Sequence, residues 1–320
     1  MLSLYMQIDA VICWVDGEDP ALLQKRMEYA TPGQLARDDI AAPTRYASRN
    51  EITYCVCSLL RNVPFLHAIY IITDGQDPPI RDAVARNFPE NRIPIRVVDH
   101  KEIFRGYEQA LPVFCSGALE TVMWRIEGLS EWFLYLNDDF AVTAPLTMED
   151  FFCGDRPVVY GYWHRTFTAR LEKWWKSRGK LCFRDAMLRA ADAIGTRRFV
   201  RVRHTPRLYH KPVQERFYRE HPDLFVQNLS FRFRSPLRLD NNSLVATLMA
   251  LEEGAVLRYC GDEVLYMQPR RSRARFLRDL ERCRRLEDAK FFCVNSLDKF
   301  SEEDAARIQT WLARKLDISI

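Results

Sequence analysis

The stretch Phe133-Leu-Tyr-Leu-Asn-Asp-Asp139 is a short apolar run that ends in an amide and two carboxylates. Its length and apolar side chains predict a buried strand that stops at the polar residues. Two adjacent carboxylates repel each other and cost free energy unless a cation or hydrogen-bond donors compensate for their charge. Hard oxygen ligands of this kind suit Mg²⁺, which also binds phosphate. The stretch therefore favours a metal-dependent enzyme with a nucleotide-activated substrate; alternatively, Asp138 and Asp139 only begin a solvated loop.

Apolar runs of strand length alternate with amphipathic stretches along the first half of the chain. Strands are predicted at residues 8–15, 68–73, 93–98 and 132–136. Helices are predicted to begin at Asp19-Pro20, Asn50 and Ser116, because these residues are typical of helix N-termini. This βαβαβ order predicts an α/β fold, with a mostly parallel, Rossmann-like sheet that has helices on both faces.

Polar side chains follow three of the predicted strands. Asp16, Asp74 and the Asn137-Asp138-Asp139 trio each come just after an apolar run. Because ligands bind beyond the carboxyl ends of the strands in parallel sheets, we expect these groups to meet at one site. The alternative for the first two is an ordinary Asp-Gly turn.

The composition limits the class of protein. With 320 residues, 48% hydrophobic and 28% charged, the chain can bury a core, and its net charge of +4 is too small to predict a nucleic-acid partner. Nine cysteines in irregular spacing, without a C-x-x-C, favour a reducing compartment over a disulfide framework or a zinc site. No secretory signal or transmembrane stretch is predicted. We expect a cytoplasmic protein, soluble or peripheral at the inner face of the cell membrane.

Residues 163–201 differ from the rest because they combine three tryptophans with many Arg and Lys. They predict a mostly helical insertion. Trp174 and Trp175 could stack on sugar rings or pack in a core. We divide the chain into an N-terminal part of the catalytic core (1–150), the helical insertion or cap (151–202), and a C-terminal part of the core (203–320).

The last hundred residues hold further elements. They predict an amphipathic helix at 241–253, a strand at 290–294 and a final helix capped by Ser301-x-x-Asp304. The arginine cluster at 270–285 has two interpretations: a solvated helix face, which we favour, or a surface for anionic lipid or a polyanionic product.

Five segments follow one another in a characteristic order. They are Ile8-Asp-Ala-Val-Ile-Cys-Trp-Val-Asp-Gly17, Arg45-Tyr-Ala-Ser-Arg-Asn-Glu51 with Ile69-Tyr-Ile-Ile-Thr-Asp-Gly-Gln76, Leu111-Pro-Val-Phe-Cys-Ser116 with Glu120, Arg203-His-Thr-Pro206 through Phe231-Arg-Phe-Arg-Ser235, and Phe292-Cys-Val-Asn295. In this order they resemble the defining regions of the Stealth proteins, a family of sugar-1-phosphate transferases.

The resemblance implies a Rossmann-like, glycosyltransferase A-like unit and a specific reaction. Such a protein transfers hexose- or N-acetylhexosamine-1-phosphate from a UDP-sugar to a glycan hydroxyl, which forms a phosphodiester and releases UMP. The implied cofactor is Mg²⁺ or Mn²⁺, and the setting is capsule or surface polysaccharide synthesis. A lipid-linked acceptor and association with a membrane or a capsule-synthesis complex are further expectations.

The resemblance also implies roles for single residues. Asp138 and Asp139 would bind the metal, and the catalytic residues would be Asp16, His204 as general base, and Arg234 on phosphate. The expected substrate-binding residues are Arg45, Asn50, Glu51, Asp74, Ser116, Glu120, Asn137, Arg232 and Asn295.

Several roles keep an alternative. A carboxylate could replace His204 as the base, and Asn50, Glu51 and Ser116 could simply start helices. The fourth family region often continues Asn-Asp, whereas here Ser296 follows, so Asp298 is given no role.

Two other functions compete with this prediction. A metal-dependent glycosyltransferase would use the same acidic strand end but would release UDP. A non-catalytic carbohydrate-binding protein would not need Asp138 or Asp139 at all.

Overall fold

The computed structural model of the chain describes residues 6–35, 46–178, 180–259, 261–269 and 272–320. The strands in these ranges are β1 (Ile8–Cys13), β2 (Leu66–Thr73), β3 (Ile95–Asp99), β4 (Trp132–Asn137), β5 (Phe140–Val142), β6 (Phe152–Cys153), β7 (Arg156–Arg165), β8 (Arg198–Val202), β9 (Arg207–His210), β10 (Val256–Arg258), β11 (Val264–Met267) and β12 (Phe291–Val294).

The α-helices surround these strands. They are α1 (Pro20–Tyr29), α2 (Pro32–Leu35), α3 (Glu51–Asn62), α4 (Arg81–Asn87), α5 (His100–Ile103), α6 (Ser116–Val122), α7 (Thr166–Ser177), α8 (Phe183–Ile194), α9 (Lys211–Glu220), α10 (Pro222–Leu229), α11 (Asn241–Glu252), α12 (Arg273–Arg285) and α13 (Glu302–Leu316). No helix in the described ranges combines the length and hydrophobicity that a membrane crossing requires.

The central sheet has the strand order β3-β2-β1-β4-β9. The first four strands are parallel, and β9 is antiparallel to β4. Strands buried on both faces are largely apolar, and β1 and β4 follow this rule: Ile8, Val11 and Leu134 are fully buried. The one charged residue within β1, Asp9, is also buried and accepts a hydrogen bond from the Ser130 N–H. The predicted α/β fold with a mostly parallel sheet and flanking helices is confirmed.

Two smaller sheets extend this core. One has the order β10-β7-β6, with β8 paired to the other part of β7, and the second has the order β11-β12-β5. Strands β7 and β8 form an antiparallel pair that encloses α7 and α8 in the chain. The segment at 151–202 is therefore two helices carried between paired strands rather than a mostly helical unit.

The four helices begin at or directly after the predicted residues, but only two of the four predicted caps form. Asp19 caps α1 and Ser301 caps α13, each by accepting a hydrogen bond from a backbone N–H of the first turn. Asn50 precedes α3 but makes no cap bond, because it adopts a left-handed conformation and its side chain accepts from the Thr53 hydroxyl instead. Ser116 is the first residue of α6 and not its cap.

Candidate active site

The carboxyl ends of the parallel strands lie at one edge of the sheet. Cys13 at the end of β1 pairs with Asn137 at the end of β4, and Thr73 of β2 pairs with Asp99 of β3. Because the strands end level with one another, the segments that follow them leave the sheet together. The fold therefore brings the loops that carry Asp16 and the Asn137–Asp139 trio to the same edge.

The loop that carries Asp16 is held by Gln76. The Gln76 side chain accepts a hydrogen bond from the Asp16 backbone N–H and donates to the Asp16 carbonyl, both at 3.0 Å. One carboxylate oxygen of Asp16, Oδ1, accepts from the Glu18 N–H at 3.0 Å. Among the described residues none bonds the other oxygen, Oδ2, so this oxygen can bind a ligand.

Gly17 is required beside Asp16. A Cβ built on Gly17 would lie 2.1 Å from the Tyr46 carbonyl oxygen, which no side chain tolerates. Tyr46 is itself fixed, since its hydroxyl donates to the Phe114 carbonyl at 3.0 Å. The close backbone approach at Gly17 therefore fixes the path of the chain directly after Asp16.

Asp138 and Asp139 form an acidic cluster with Glu51. The three residues line a cavity of about 10 Å³, which holds no more than one water molecule. Desolvation, together with the charges of Asp139 and Glu51, raises the pKa of Asp138 well above its ordinary value. Desolvation also raises the pKa of Asp139 to about 7, although Arg207 opposes this, and it raises the pKa of Glu51. With all three carboxyls ionised, the cluster would therefore carry more negative charge than its surroundings compensate.

The acidic pair suits a hard divalent cation whose remaining coordination positions are filled by other ligands. The buried Oδ1 of Asp139 has no hydrogen-bond partner among the described residues, so it is available to bind a cation. Within the described ranges no group of three or more His, Cys, Asp or Glu side chains is arranged to hold a metal. Two carboxylates are sufficient for Mg²⁺ when substrate phosphate and water supply the remaining ligands.

His204 lies on the other side of this edge, on an aromatic support. Its ring stacks on the Tyr266 ring at 4.9 Å between centroids, and the Phe140 ring is 6.4 Å away. Asn295 donates to the Tyr266 hydroxyl at 3.1 Å, so two residues predicted for the site, His204 and Asn295, share one neighbour. Partial desolvation and the positive charges of Arg207, Arg203 and Arg201 lower the pKa of His204 to about 4.

Arg207 joins the two sides of the site. Its guanidinium lies 5.3 Å from the ring centroid of Phe140, and its charge lowers the pKa of both Asp139 and His204. The Nε atom of Arg207 is buried and has no hydrogen-bond partner. Arg207 is not among the residues predicted above. Its position three residues after His204, in the same family segment, is the signal that could have found it.

Buried polar groups in the core fix the side chain of Asn137. The Tyr135 hydroxyl lies 2.9 Å from the Asn137 Oδ1 and 3.0 Å from the Glu120 Oε1. Glu120 is buried, with Arg238 at 3.7 Å. Arg238 packs so closely on Gly117 that a Cβ there would lie 2.4 Å from its guanidinium. Glu120 is thus placed to support Asn137 from within the core, and Arg238 is a second residue that the sequence did not indicate.

Arg232 and Arg234 have different surroundings. Arg232 donates to the carbonyls of Gln109 and Leu111 at 2.8 and 3.0 Å, which ties it to the loop before α6. The Arg234 guanidinium lies 4.9 Å from the ring centroid of Phe183, at the start of α8. The contacts of Arg232 therefore stabilise the fold, because its guanidinium bonds two backbone carbonyls.

Asp74, Ser116 and Asn50 are the other predicted residues that the structure describes. Asp74 accepts from Lys25 at 2.9 Å, and Ser116 is exposed at the start of α6. Asn50 precedes Glu51 of the acidic cluster directly. Arg45 lies outside the described residues.

The fold and the site define an α/β protein with an acidic, cation-competent edge of a parallel sheet, faced by a histidine and arginines. The model of Stealth protein CR2, conserved region 2, matches residues 45–158, which include Glu51, Asp74 and the acidic pair. The chain belongs to the Stealth family.

The chain is also similar to curated polysaccharide phosphotransferases. Two exopolysaccharide phosphotransferases of Streptomyces coelicolor are 36% and 29% identical over 72% and 97% of this chain, and over 37% and 50% of their own lengths. The capsular polysaccharide phosphotransferase LcbA of Neisseria meningitidis is 37% identical over 46% of this chain and 38% of its own. The chain thus spans half or less of the length of these relatives.

Among solved structures, the galactosyltransferase LgtC in complex with donor and acceptor sugar analogues is 12% identical to the chain. The match covers 96% of both chains with a TM-score of 0.47.

Proposed function

We propose that this protein transfers a sugar-1-phosphate from a nucleotide sugar to a glycan hydroxyl in exopolysaccharide or capsule synthesis. Its relatives are named exopolysaccharide and capsular polysaccharide phosphotransferases, which supports the reaction class. The observation that carries the proposal is the undercompensated pair Asp138–Asp139 at the sheet edge, opposite His204 and Arg207. Negative groups on one side and positive groups on the other suit a metal-bound diphosphate.

In the proposed reaction, groups on both sides of the site compensate the negative charge of the diphosphate. Asp138 and Asp139 would hold Mg²⁺ or Mn²⁺, which when bound neutralises the charge of the diphosphate oxygens. Arg207 contacts the transferred phosphoryl group, and we assign Arg234 as a second donor to phosphate. Asp16 binds the ribose or the acceptor through its free carboxylate oxygen.

His204 accepts the proton of the attacking hydroxyl. Its lowered pKa keeps the imidazole neutral at physiological pH, as a proton acceptor must be. The arginine charges that lower this pKa are the ones a bound diphosphate neutralises, so substrate binding raises the basicity of His204. The hydroxyl oxygen forms a bond to the β-phosphorus, the bond from that phosphorus to the bridging oxygen breaks, and UMP leaves.

We place the reaction in the cytoplasm, with a UDP-sugar as donor. The eight described cysteines are free thiols, which suits a reducing compartment.

The identity of the released nucleotide tests the proposal. The protein is incubated with Mg²⁺, a panel of UDP-sugars and short glycan acceptors, and the products are resolved by chromatography and phosphorus NMR. Acceptor-dependent UMP with a new phosphodiester signal is the expected result. Acceptor-dependent UDP would show attack at carbon and would refute the proposed chemistry. Asp139→Asn should lower product formation by roughly a hundredfold or more. Asp155→Asn, at an exposed turn, is the matched control.

A further inference from the structure

Helix α7 carries its large apolar side chains outward. Phe167, Leu171, Trp174 and Trp175 are 73%, 55%, 68% and 79% exposed. Their spacing places them on one side of the helix, which we call the α7 stripe. The small Ala169, on the opposite side, is fully buried in a cluster with Leu188, Ala191 and Phe199. This helix therefore exposes its large apolar side chains to solvent, the reverse of an ordinary surface helix. The alternative that Trp174 and Trp175 pack in a core is wrong.

The α7 stripe has the size of the largest apolar patch on a typical monomer. An aromatic side chain has roughly 150–250 Å² of surface, so at these exposed fractions the stripe presents roughly 500 Å². The largest patch on a typical monomer is about 300–600 Å², and patches of this size are often functional. A patch with two exposed tryptophans on adjacent positions indicates that something covers this face.

Positive charge surrounds the α7 stripe. Residues 165–189 contain eight Lys and Arg and two acidic residues, so the segment carries 8 − 2 = +6. Three of these cations form ion pairs: Lys173 with Asp185, Arg184 with Glu172, and Arg170 with Asp192. Lys176, Arg178 and Lys180 are exposed at the end of α7, and no acidic residue in the described ranges pairs with them. These three cations are available to an anionic partner.

We propose that α7 binds the surface of an anionic lipid bilayer. The α7 stripe inserts at the boundary between headgroups and acyl chains, and Lys176, Arg178 and Lys180 contact the headgroup phosphates. Tryptophan beside lysine is the combination that membrane interfaces favour. Protein interfaces, in contrast, exclude lysine from their centres, so the same surface fits a protein partner less well.

The position of α7 gives this binding a consequence for the site. A cavity of about 710 Å³ beside α7 is lined by Trp174, Arg189, Leu237 and Leu239. The last two residues flank Arg238, and Phe183 of α8 contacts the guanidinium groups of Arg234 and Arg238. The segment that carries the α7 stripe therefore packs next to Arg234, which we assign to phosphate, so a bilayer bound there would bring an acceptor carried by the membrane toward that residue.

Vesicle binding tests the proposal without any use of catalytic activity, so its outcome is independent of the proposed function. The purified protein is sedimented with vesicles of equimolar phosphatidylglycerol and phosphatidylcholine, and with vesicles of phosphatidylcholine alone. Binding should require phosphatidylglycerol and should weaken with salt. Replacing Lys176, Arg178 and Lys180 by glutamine should weaken it on the order of a hundredfold. Trp174→Ala with Trp175→Ala should weaken it by roughly tenfold or more.

A pair of leucines provides the matched control. Leu171 lies in the α7 stripe, and Leu251 on α11 is also exposed, at 43%. Leu171→Ala should weaken vesicle binding and Leu251→Ala should not, with circular dichroism to show that both variants are folded. Equal effects of the two variants, or no binding to phosphatidylglycerol vesicles, would overturn the proposal. Self-association in solution that Trp174→Ala with Trp175→Ala abolishes would also overturn it, because the stripe would then bind a second copy of the chain.

Discussion

Replacing His100 by glutamine should remove a defined part of the pH dependence of stability. His100 begins α5 and is only 5% exposed, and its Nδ1 has no hydrogen-bond partner. Desolvation lowers its pKa from 6.5 to about 4, against the opposing charges of Asp74 and Asp99. The imidazole therefore stays neutral in the folded protein at pH values where the unfolded chain binds a proton.

The sign and size of the effect follow from this difference in pKa. Between pH 6.5 and pH 4 the unfolded state holds more protons at this position, so lowering the pH favours unfolding. For a pKa of 6.5 unfolded and about 4 folded, the loss in the free energy of unfolding is about 2 kcal/mol at pH 5 and about 3 kcal/mol at pH 4. Above pH 7 the loss is negligible.

Urea unfolding at pH 7 and pH 5, followed by tryptophan fluorescence, measures this loss. The wild-type protein should lose about 2 kcal/mol more than His100→Gln between the two pH values. The comparison with the variant is essential, because the raised pKa values of Asp138 and Asp139 act in the opposite direction in both proteins. Parallel pH profiles for the two proteins would refute the assignment of His100 as a buried neutral imidazole.

Three further changes test the site. Asp139→Asn should lower sugar-phosphate transfer by roughly a hundredfold or more, while Asp155→Asn should leave the rate of product formation unchanged. Arg207→Met should lower kcat by a similar factor, since the transferred phosphoryl group loses a charged hydrogen-bond donor; an effect confined to KM would contradict a role in the transition state. Gly17→Ala should cost about 1–3 kcal/mol in urea unfolding, because its Cβ meets the Tyr46 carbonyl; unchanged stability would show that the loop is free to move.

The central sheet and its functional edge could be predicted from local pattern. Strands β1 and β4 are apolar apart from Asp9 and the terminal Asn137, and such runs indicate strands buried on both faces regardless of what the rest of the chain does. Because parallel strands share an edge, Asp16 and the Asn137–Asp139 trio could be assigned to one place without any knowledge of pairing. This part of the site depends only on residues within or directly after a strand.

The other part of the site depends on contacts between distant segments. Tyr266 supports His204 and Asn295 from β11, a strand of a different sheet, and Glu51 reaches Asp138 from the start of α3. No period or motif marks such contacts, because they arise only when the separate sheets pack together. The same limit applies to α7: the sequence showed its tryptophans, but only the packing of Ala169 shows that they face outward.

The electrostatic cost of the acidic cluster is an argument for a ligand that completes it. The desolvated carboxyls of Asp138, Asp139 and Glu51 all have raised pKa values, and Arg207 alone, among the charges acting on Asp139, opposes the increase. A cation bound between the aspartates would remove this cost, and a diphosphate would at the same time neutralise the arginines that lower the pKa of His204. The acidic cluster therefore lacks a cation, and the arginines beside His204 lack an anion. A metal-bound diphosphate would supply both.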